Sequence, residues 1–374
     1  MTARSGSLDT ILVTGGAGFI GSTFVLDAVG RRGQHVVNLD KVTYAGNLDN
    51  LESLAGNPKH VFVRGDIADG GLVRDLLAAH RPNAIVNFAA ETHVDRSIDG
   101  PRAFVHTNVL GTFELLDAAR HYVAGLSPAA RRDFRFLHVS TDEVYGSLPE
   151  RGAFDEGCAY APNSPYAASK AAADHLVRAY SRTYDLPTLT SNCCNNYGPF
   201  QFPEKLIPLT ILNALEGRNL PVYGDGQNVR DWLFAQDHCD ALQAVLRSGR
   251  PGETYVVGAR SERTNLALVE MICDLLDELA PRSAGESGGA GGGGSRSRRE
   301  LISFVADRPG HDRRYAVDPS KLETELGWRP THRLEDGLAL TVRWYLANGA
   351  WCDRISQRMN ARQRVGLGGG PARQ

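Results

Sequence analysis

Short apolar runs and segments of helical period alternate through the first half of the chain. Residues 11–14, 35–39, 60–64, 84–89, 134–139 and 188–191 have the length and apolar content of strands, and 72–79, 103–120 and 166–184 carry helical patterns. Strand, helix, strand in repetition predicts an α/β fold, a doubly wound parallel sheet with helices on both faces. Ligands of such a sheet bind at the carboxyl ends of its strands, so those ends are where chemistry is expected. Past about Asn196 the rhythm changes, with Pro199, Pro203, Pro208 and Pro221 in quick succession. We place a nucleotide-binding domain at 1–195, with segments returning to it at about 230–262, and a smaller substrate-covering region at 196–229 and 263–355. Residues 282–298, RSAGESGGAGGGGSRSR, read as a flexible surface loop and 366–374 as a tail, and neither is assigned chemistry.

Composition narrows the function. The 374 residues can bury a large core, and their 41 basic and 43 acidic side chains are interspersed, leaving a net charge of −2. That balance lacks the electrostatic footprint of a nucleic-acid binder. The first residues lack the apolar core of a leader, and no apolar stretch has membrane-spanning length, so a soluble cytoplasmic protein is expected. The six cysteines form no CxxC pair and have no histidine at ligand spacing, which argues against zinc or a disulfide frame. Cys193 and Cys194 read as small buried residues near a strand end.

ILVTGGAGFIGS, residues 11–22, puts glycines at 15, 16, 18 and 21 between a strand and a helix. Small residues there let the backbone approach a pyrophosphate resting on the helix amino terminus. Asp40 follows nineteen residues after Gly21, at the end of the second strand, placed to accept from a ribose 2′-hydroxyl. An acid there repels a 2′-phosphate and favours NAD over NADP, although neighbouring Lys41 works slightly the other way. Asp66, closing the third strand, is suited to the adenine amino group or, equally, to capping the next helix.

Two further patterns concern proton transfer. Tyr166 and Lys170 stand at i and i+4 of one helix face, separated by small residues, so the ammonium is expected to lower the phenol pKa towards neutrality. Lys170 is one of only five lysines among the 41 basic residues, which sets it apart from the default cation of this chain. In STDEVYG, 140–146, Asp142 and Glu143 adjoin where an apolar strand gives out. Simple redox chemistry needs no such pair, whereas an elimination needs a base and an acid near adjacent carbons. Successive side chains of a regular strand point to opposite faces, so both acids serve one substrate only if the backbone leaves strand geometry at Asp142.

The glycine loop and YxxxK together resemble the extended short-chain dehydrogenase/reductase family. LDKVTYAGN (39–47), AAETHVDRSI (89–98), STDEVYG, NNYGPFQFPEKLIP (195–208), GDGQNVRDWL (224–233) and DRPGHDRRYAVD (307–318) are similar to its dTDP-glucose 4,6-dehydratase branch. The resemblance covers roughly residues 10–350. It implies a Rossmann-type domain, tightly held NAD, a nucleotide-diphosphate sugar substrate and a homodimer built on the helices near 103–120 and 166–184.

By resemblance, Tyr166 takes the proton of the 4-hydroxyl with Lys170 beside it, Thr141 bonds the 4-oxygen, Asp142 is the acid at C6 and Glu143 the base at C5. The cofactor contacts implied are Gly15, Gly18, Phe19, Ile20 and Gly21, then Asp40, Lys41, Val42 and Thr43, then Asp66 and Ile67. Ala89, Ala90, Glu91, Thr92, His93, Thr107, Tyr166, Lys170 and Asn196 complete that set. Substrate contacts implied are Thr92, Thr141, Asn195, Lys205, Leu206, Pro221, Val222, Tyr223, Arg230, Asn265 and the run Asp307, Arg308, Pro309, Gly310, His311.

Plainer readings stand beside these: NNYG as a turn, Arg230 with Asp231 as a surface pair, His93 as a structural histidine. The family commonly has serine where Thr92 and Cys194 stand. Alternative activities are the same reaction on a UDP sugar, a nucleotide-sugar epimerase or decarboxylase, and a non-catalytic NAD-binding protein. That last reading predicts decay at Tyr166, Lys170 or Glu143, and all three are present.

Overall fold

The computed structural model describes residues 8–282 and 297–358. Its strands are β1 Thr10–Thr14, β2 His35–Asp40, β3 His60–Arg64, β4 Ala84–Asn87, β5 Arg135–Thr141, β6 Thr188–Cys193, β7 Asn195–Tyr197, β8 Leu220–Tyr223, β9 Val229–Phe234, β10 Thr254–Val257, β11 Glu262–Thr264 and β12 Ile302–Val305. Seven of them form one parallel sheet in the order β10-β6-β5-β4-β1-β2-β3. The chain runs outward from β1 through β2 to β3, then returns to the other side of β1 at β4. That reversal opens a crevice above the carboxyl ends of β1 and β4.

Alternation along β1 explains why both faces are covered. Ile11 and Val13 join a core with Phe24 and Val25 of the helix Phe19–Leu26 and Leu242 of Ala235–Ser248. Leu12 points the other way, to Val73 and Leu77 of Gly70–His80 and Leu115 of Thr112–Ala124. A strand buried on both sides has no polar face to display, so it reads as a continuous apolar run. Each such side chain contributes about 1.5–3 kcal/mol by leaving water.

The expected strand at 134–139 runs on to Thr141, and that at 84–89 ends at Asn87. The helix expected at 103–120 is three pieces: Pro101–Phe104, a π-helical stretch Val105–Gly111, and Thr112–Ala124. Within the π stretch the buried Asn108 accepts from Glu91 N at 2.8 Å and donates to Glu91 O and Ser169 Oγ.

The chain crosses between regions at Cys194. Asn195 and Asn196 form no turn but begin β7, which joins β9 and β11 in a separate sheet. β8 and β12 pair in parallel, and the helices Leu206–Leu215, Asn265–Leu279 and Leu334–Ala347 close a second core around Ile211, Ile272 and Leu338. Ala235–Ser248 and β10 return to the large sheet. Residues near 315–328, expected with the second region, pack into the first core through Val317, Leu322 and Trp328. Their apolar side chains cover the β10 edge, where Leu322 and Tyr255 share one cluster. The helix Gly349–Arg358 also reaches back, with Trp351 Nε1 donating to Asn50 at 3.0 Å. Of the surface loop expected at 282–298, residues 283–296 lie outside the described residues, as does the tail 366–374, whereas Arg298 is buried, donating to Asp277 and to the carbonyls of Leu276 and Ala280 at the end of the helix Asn265–Leu279.

Candidate active site

A cavity of about 300 Å³ lies over the crevice, lined by residues at the ends of β1 to β6 and by Gln201, Phe202, Glu204 and Lys205 of the second region. Gly15 adopts a left-handed φ of 73°, and a Cβ there would lie 2.6 Å from Ala89 N. A Cβ on Gly21 would sit 2.2 Å from Gly15 O, so the strand and helix can approach this closely only without side chains. Gly18 caps the helix Phe19–Leu26 with no side-chain acceptor, leaving its first backbone N–H groups open to the cavity. Gly15, Gly18, Phe19, Ile20 and Gly21 all line it.

Asp40 lines the cavity and also braces it: its carboxylate accepts from Ala17 N at 2.8 Å and from Val42 N at 2.6 Å. The second role was not legible from spacing. Asp66 is no helix cap; Asp69 takes that place by accepting from Leu72 N. Asp66 instead accepts from Lys41 Nζ at 2.5 Å at the cavity wall. Thr43, Ile67, Ala89, Ala90, Glu91, Thr92 and Thr107 line the same space, whereas Val42 does not. This glycine cradle, open helix terminus and paired acids after β2 and β3 fit an NAD molecule.

The reactive end is built by a capped turn. β5 stops at Thr141, whose Oγ1 accepts from Glu143 N at 3.3 Å and starts the 3₁₀ turn Asp142–Tyr145. The backbone therefore leaves strand geometry at Asp142, and the two acids diverge by a turn rather than by strand alternation. Glu143 reaches the cavity. Asp142 lies behind it, 1% exposed, its Oδ1 accepting from Thr141 Oγ1 at 3.4 Å and its Oδ2 without a hydrogen-bond partner. Burial and the Glu143 charge push the Asp142 carboxyl well above its ordinary range. Burial also raises Glu143, against the opposing charges of Arg308, Arg230 and Lys205.

Ser164 caps the helix Pro165–Tyr184 by accepting from Ala167 N at 3.0 Å, with Pro165 in its first turn. Tyr166 then packs edge-on against Phe104 and beside Val94, facing the cavity. The expected lowering of its phenol pKa by Lys170 is not what the protein's own groups produce: burial and the charge of Glu143 raise it. The Lys170 ammonium donates to Val139 O at 2.8 Å and lies 3.3 Å from His138 Nε2. Burial brings Lys170 down to about 8, opposed by Asp174. Neither His138 nor Asp174 stood out in the sequence, because their link joins a strand to a helix.

Several expected contacts are placed elsewhere. Asn196 borders the cavity, but its amide is spent inward, on Cys194 O at 2.9 Å and the His238 ring at 2.9 Å. His93 is no part of the lining; it caps the helix Val94–Asp99 by accepting from Arg96 N, and burial lowers it to about 2. Val222 points into the second core because β8 alternates, leaving Pro221 and Tyr223 on the opposite face.

Asn195 and Lys205 line the cavity, and the buried Asn195 Oδ1 has no hydrogen-bond partner. Leu206, Asn265 and the loop from Asp307 to His311 stand outside the cavity lining, on the second region. Arg308 donates to Asp95 at 2.9 Å beside Tyr223, whose hydroxyl donates to the other Asp95 oxygen, while Pro309 and Gly310 are exposed. His311 donates to Asp307 at 2.7 Å and is lowered to about 4 by burial and Arg308, so it is a neutral donor rather than a cation. Arg230 forms no surface pair with Asp231. It is buried, donates to Val229 O and Asp312 O, and stacks on Tyr315, while Asp231 accepts from the backbone of Ala259, Arg260 and Ser261. Glu204, unassigned from sequence, joins the lining and takes Tyr44 and Arg96 as donors.

The family model described as GDP-mannose 4,6 dehydratase matches residues 12–341. The dTDP-glucose 4,6-dehydratase of Xanthomonas campestris pv. campestris is 59% identical over 357 residues, 96% of this chain and 99% of the relative. The dTDP-glucose 4,6-dehydratase 1 of Escherichia coli is 51% identical over 92% of this chain and 95% of its own. Among solved structures, the dTDP-glucose 4,6-dehydratase of Streptomyces venezuelae with NAD bound superposes with a TM-score of 0.82 at 46% identity, over 92% of this chain and 99% of that one. A UDP-glucose 4-epimerase from Thermus thermophilus with NAD shares the fold at 28% identity and a TM-score of 0.77, over 91% of this chain and 99% of its own. Matched along nearly its whole length, the chain belongs to the GDP-mannose 4,6-dehydratase family, among its dTDP-glucose 4,6-dehydratases.

Proposed function

We propose that this chain dehydrates dTDP-glucose to dTDP-4-keto-6-deoxyglucose with NAD as a resident cofactor. The observation that carries the reading is the capped turn after β5, which brings Thr141 and Glu143 into the cavity wall with Tyr166 and the glycine cradle and leaves Asp142 buried behind Glu143. When bound, NAD supplies the acceptor for hydride from C4 and its return to C6. Tyr166, entering as the phenolate, takes the proton of the 4-hydroxyl while Thr141 holds the 4-oxygen. The resulting ketone acidifies the C5 proton, which Glu143 removes. Asp142, kept protonated by burial, gives its proton to the C6 hydroxyl, which leaves as water. Glu143 then returns a proton to C5.

The test is incubation of the purified protein with dTDP-glucose and no added NAD, following product mass. Loss of one water without net reduced nicotinamide supports the reading. Unchanged sugar, even with NAD supplied, overturns it, and a parallel reaction with UDP-glucose decides the base.

We also propose a homodimer through Pro101–Phe104 to Thr112–Ala124 and Pro165–Tyr184. Val105, Leu110, Phe113 and Tyr184 support it, being large apolar side chains left 38–56% exposed on those helices. A cytoplasmic setting suits six cysteines that form no disulfide among the described residues.

A further inference from the structure

Asp95 is a buried carboxylate whose hydrogen-bond donors come from the second region. It stands in the first turn of the helix Val94–Asp99, just past the cavity-lining Thr92, and is 4% exposed. Its Oδ1 accepts from Arg308 Nη1 at 2.9 Å and its Oδ2 from the Tyr223 hydroxyl at 2.9 Å. The adjacent Arg96 does not pair with it, because neighbouring residues of a helix face different ways. Arg96 donates instead to Glu204 at 3.4 Å and lies over the Tyr44 ring at 3.9 Å.

The two donors stand at one end of the small parallel sheet. Tyr223 closes β8, and Arg308 follows the end of β12 at Val305. The Arg308 guanidinium lies 5.9 Å from the centre of the Tyr223 ring, and the His311 ring meets that ring edge-on at 5.8 Å. One carboxylate of the first region therefore fixes a tyrosine and an arginine that reach it from separate segments of the second.

Arg308 keeps donors in reserve. Nη1 is given to Asp95, the buried Nε has no hydrogen-bond partner, and 22% of the side chain is open. Its charge also reaches Glu143, where it leads the cations that oppose burial. With the sugar at Tyr166 and Glu143 and the glycine cradle taken by NAD, the diphosphate of the substrate must lie along the second region. A guanidinium with spare N–H groups matches such an anion. A long side chain gives up freedom when it binds, so a partner that holds it in place beforehand strengthens binding.

We propose that Asp95 is a positioning residue for the substrate, fixing Tyr223 and Arg308 where the nucleotide diphosphate meets them. This rests on the dehydration reading above. Asp95 is no part of the cavity lining and acts through its two partners.

The experiment compares wild type with Asp95→Asn, in steady-state kinetics with dTDP-glucose and in calorimetric binding of dTDP to the NAD-loaded protein. Asparagine keeps the shape and removes the charge and one acceptor. KM for the sugar and Kd for dTDP should both rise by about 10–100-fold, the scale of one hydrogen bond to a charged group. NAD content should hold, and turnover at saturating sugar should fall far less. A role confined to stability would lower the melting temperature and leave both constants where they were. Unchanged KM and Kd in folded Asp95→Asn protein overturn the proposal. Should that variant not fold, Tyr223→Phe, which keeps the ring and loses the hydroxyl given to Asp95, is judged by the same split. A wild type that does not convert dTDP-glucose defeats the dehydration reading and this proposal with it, whereas an active wild type beside an unshifted Asp95→Asn defeats this proposal alone.

Discussion

The Lys170 ammonium and the Asp174 carboxylate lie one turn apart on the buried face of the helix Pro165–Tyr184, with the His138 ring against both. Asp174 Oδ2 gathers Ser140 Oγ at 2.9 Å, the Tyr160 hydroxyl at 2.9 Å and Asn192 Nδ2 at 3.0 Å. Thr14 donates to Asn87 Oδ1, which turns Asn87 Nδ2 towards His138 Nδ1. Nδ1 then accepts, and the ring proton is on Nε2, facing Asp174 Oδ1 at 3.4 Å. Burial alone would raise Asp174, but the His138 N–H beside it, the Ser140 hydroxyl and the charge of Lys170 outweigh it and keep the carboxylate ionised. Its charge opposes the loss of the Lys170 proton.

A pH dependence follows from that pair. Lys170 is lowered to about 8, so it sheds its proton as pH rises through that value and the cation beside the reacting oxygens disappears. Turnover is expected to fall on the alkaline side. In Asp174→Asn the countercharge is gone, and that alkaline limb should move to lower pH. The pH profile of turnover for the two proteins checks this; an unshifted limb would detach Asp174 from the role of Lys170.

Glu143→Gln should keep the oxidation at C4 and lose removal of the C5 proton. Overall turnover is expected to fall by about 10²–10⁴-fold. The check is deuterium at C5 after reaction in heavy water. Full incorporation at wild-type rate would remove Glu143 as the base.

Asp40→Asn leaves one acceptor oxygen where two now hold Ala17 N and Val42 N. Hydrogen bonds to charged groups are worth about 1.5–3 kcal/mol each, so the glycine loop should loosen and NAD should be held more weakly. NAD content after gel filtration measures it, and an undiminished content would show the loop to be braced by other contacts.

Phe113→Glu places a charge among the exposed apolar side chains of the proposed dimer helices. Burying an unpaired charge is unfavourable, so sedimentation should show a monomer. A dimer of unchanged mass would move the interface elsewhere.

What the sequence determined by itself was local. The glycine loop, Tyr166 with Lys170, and Asp142 with Glu143 are each contained within about a turn or a single strand end, so residue spacing reports them. The doubly wound sheet was legible too, because strands covered on both faces must be apolar throughout. Packing between distant segments decided the rest. Whether Asn196 offers its amide to a ligand depends on His238, forty-two residues on, and the setting of Lys170 depends on His138, thirty-two residues back. Val222 faces the core because β8 pairs with β12, whose own residues come some eighty positions later. A lone acid or histidine looks the same in sequence whether it meets solvent, a ligand or a buried partner; only the folded neighbours fix its hydration and its hydrogen bonds, and with them its charge.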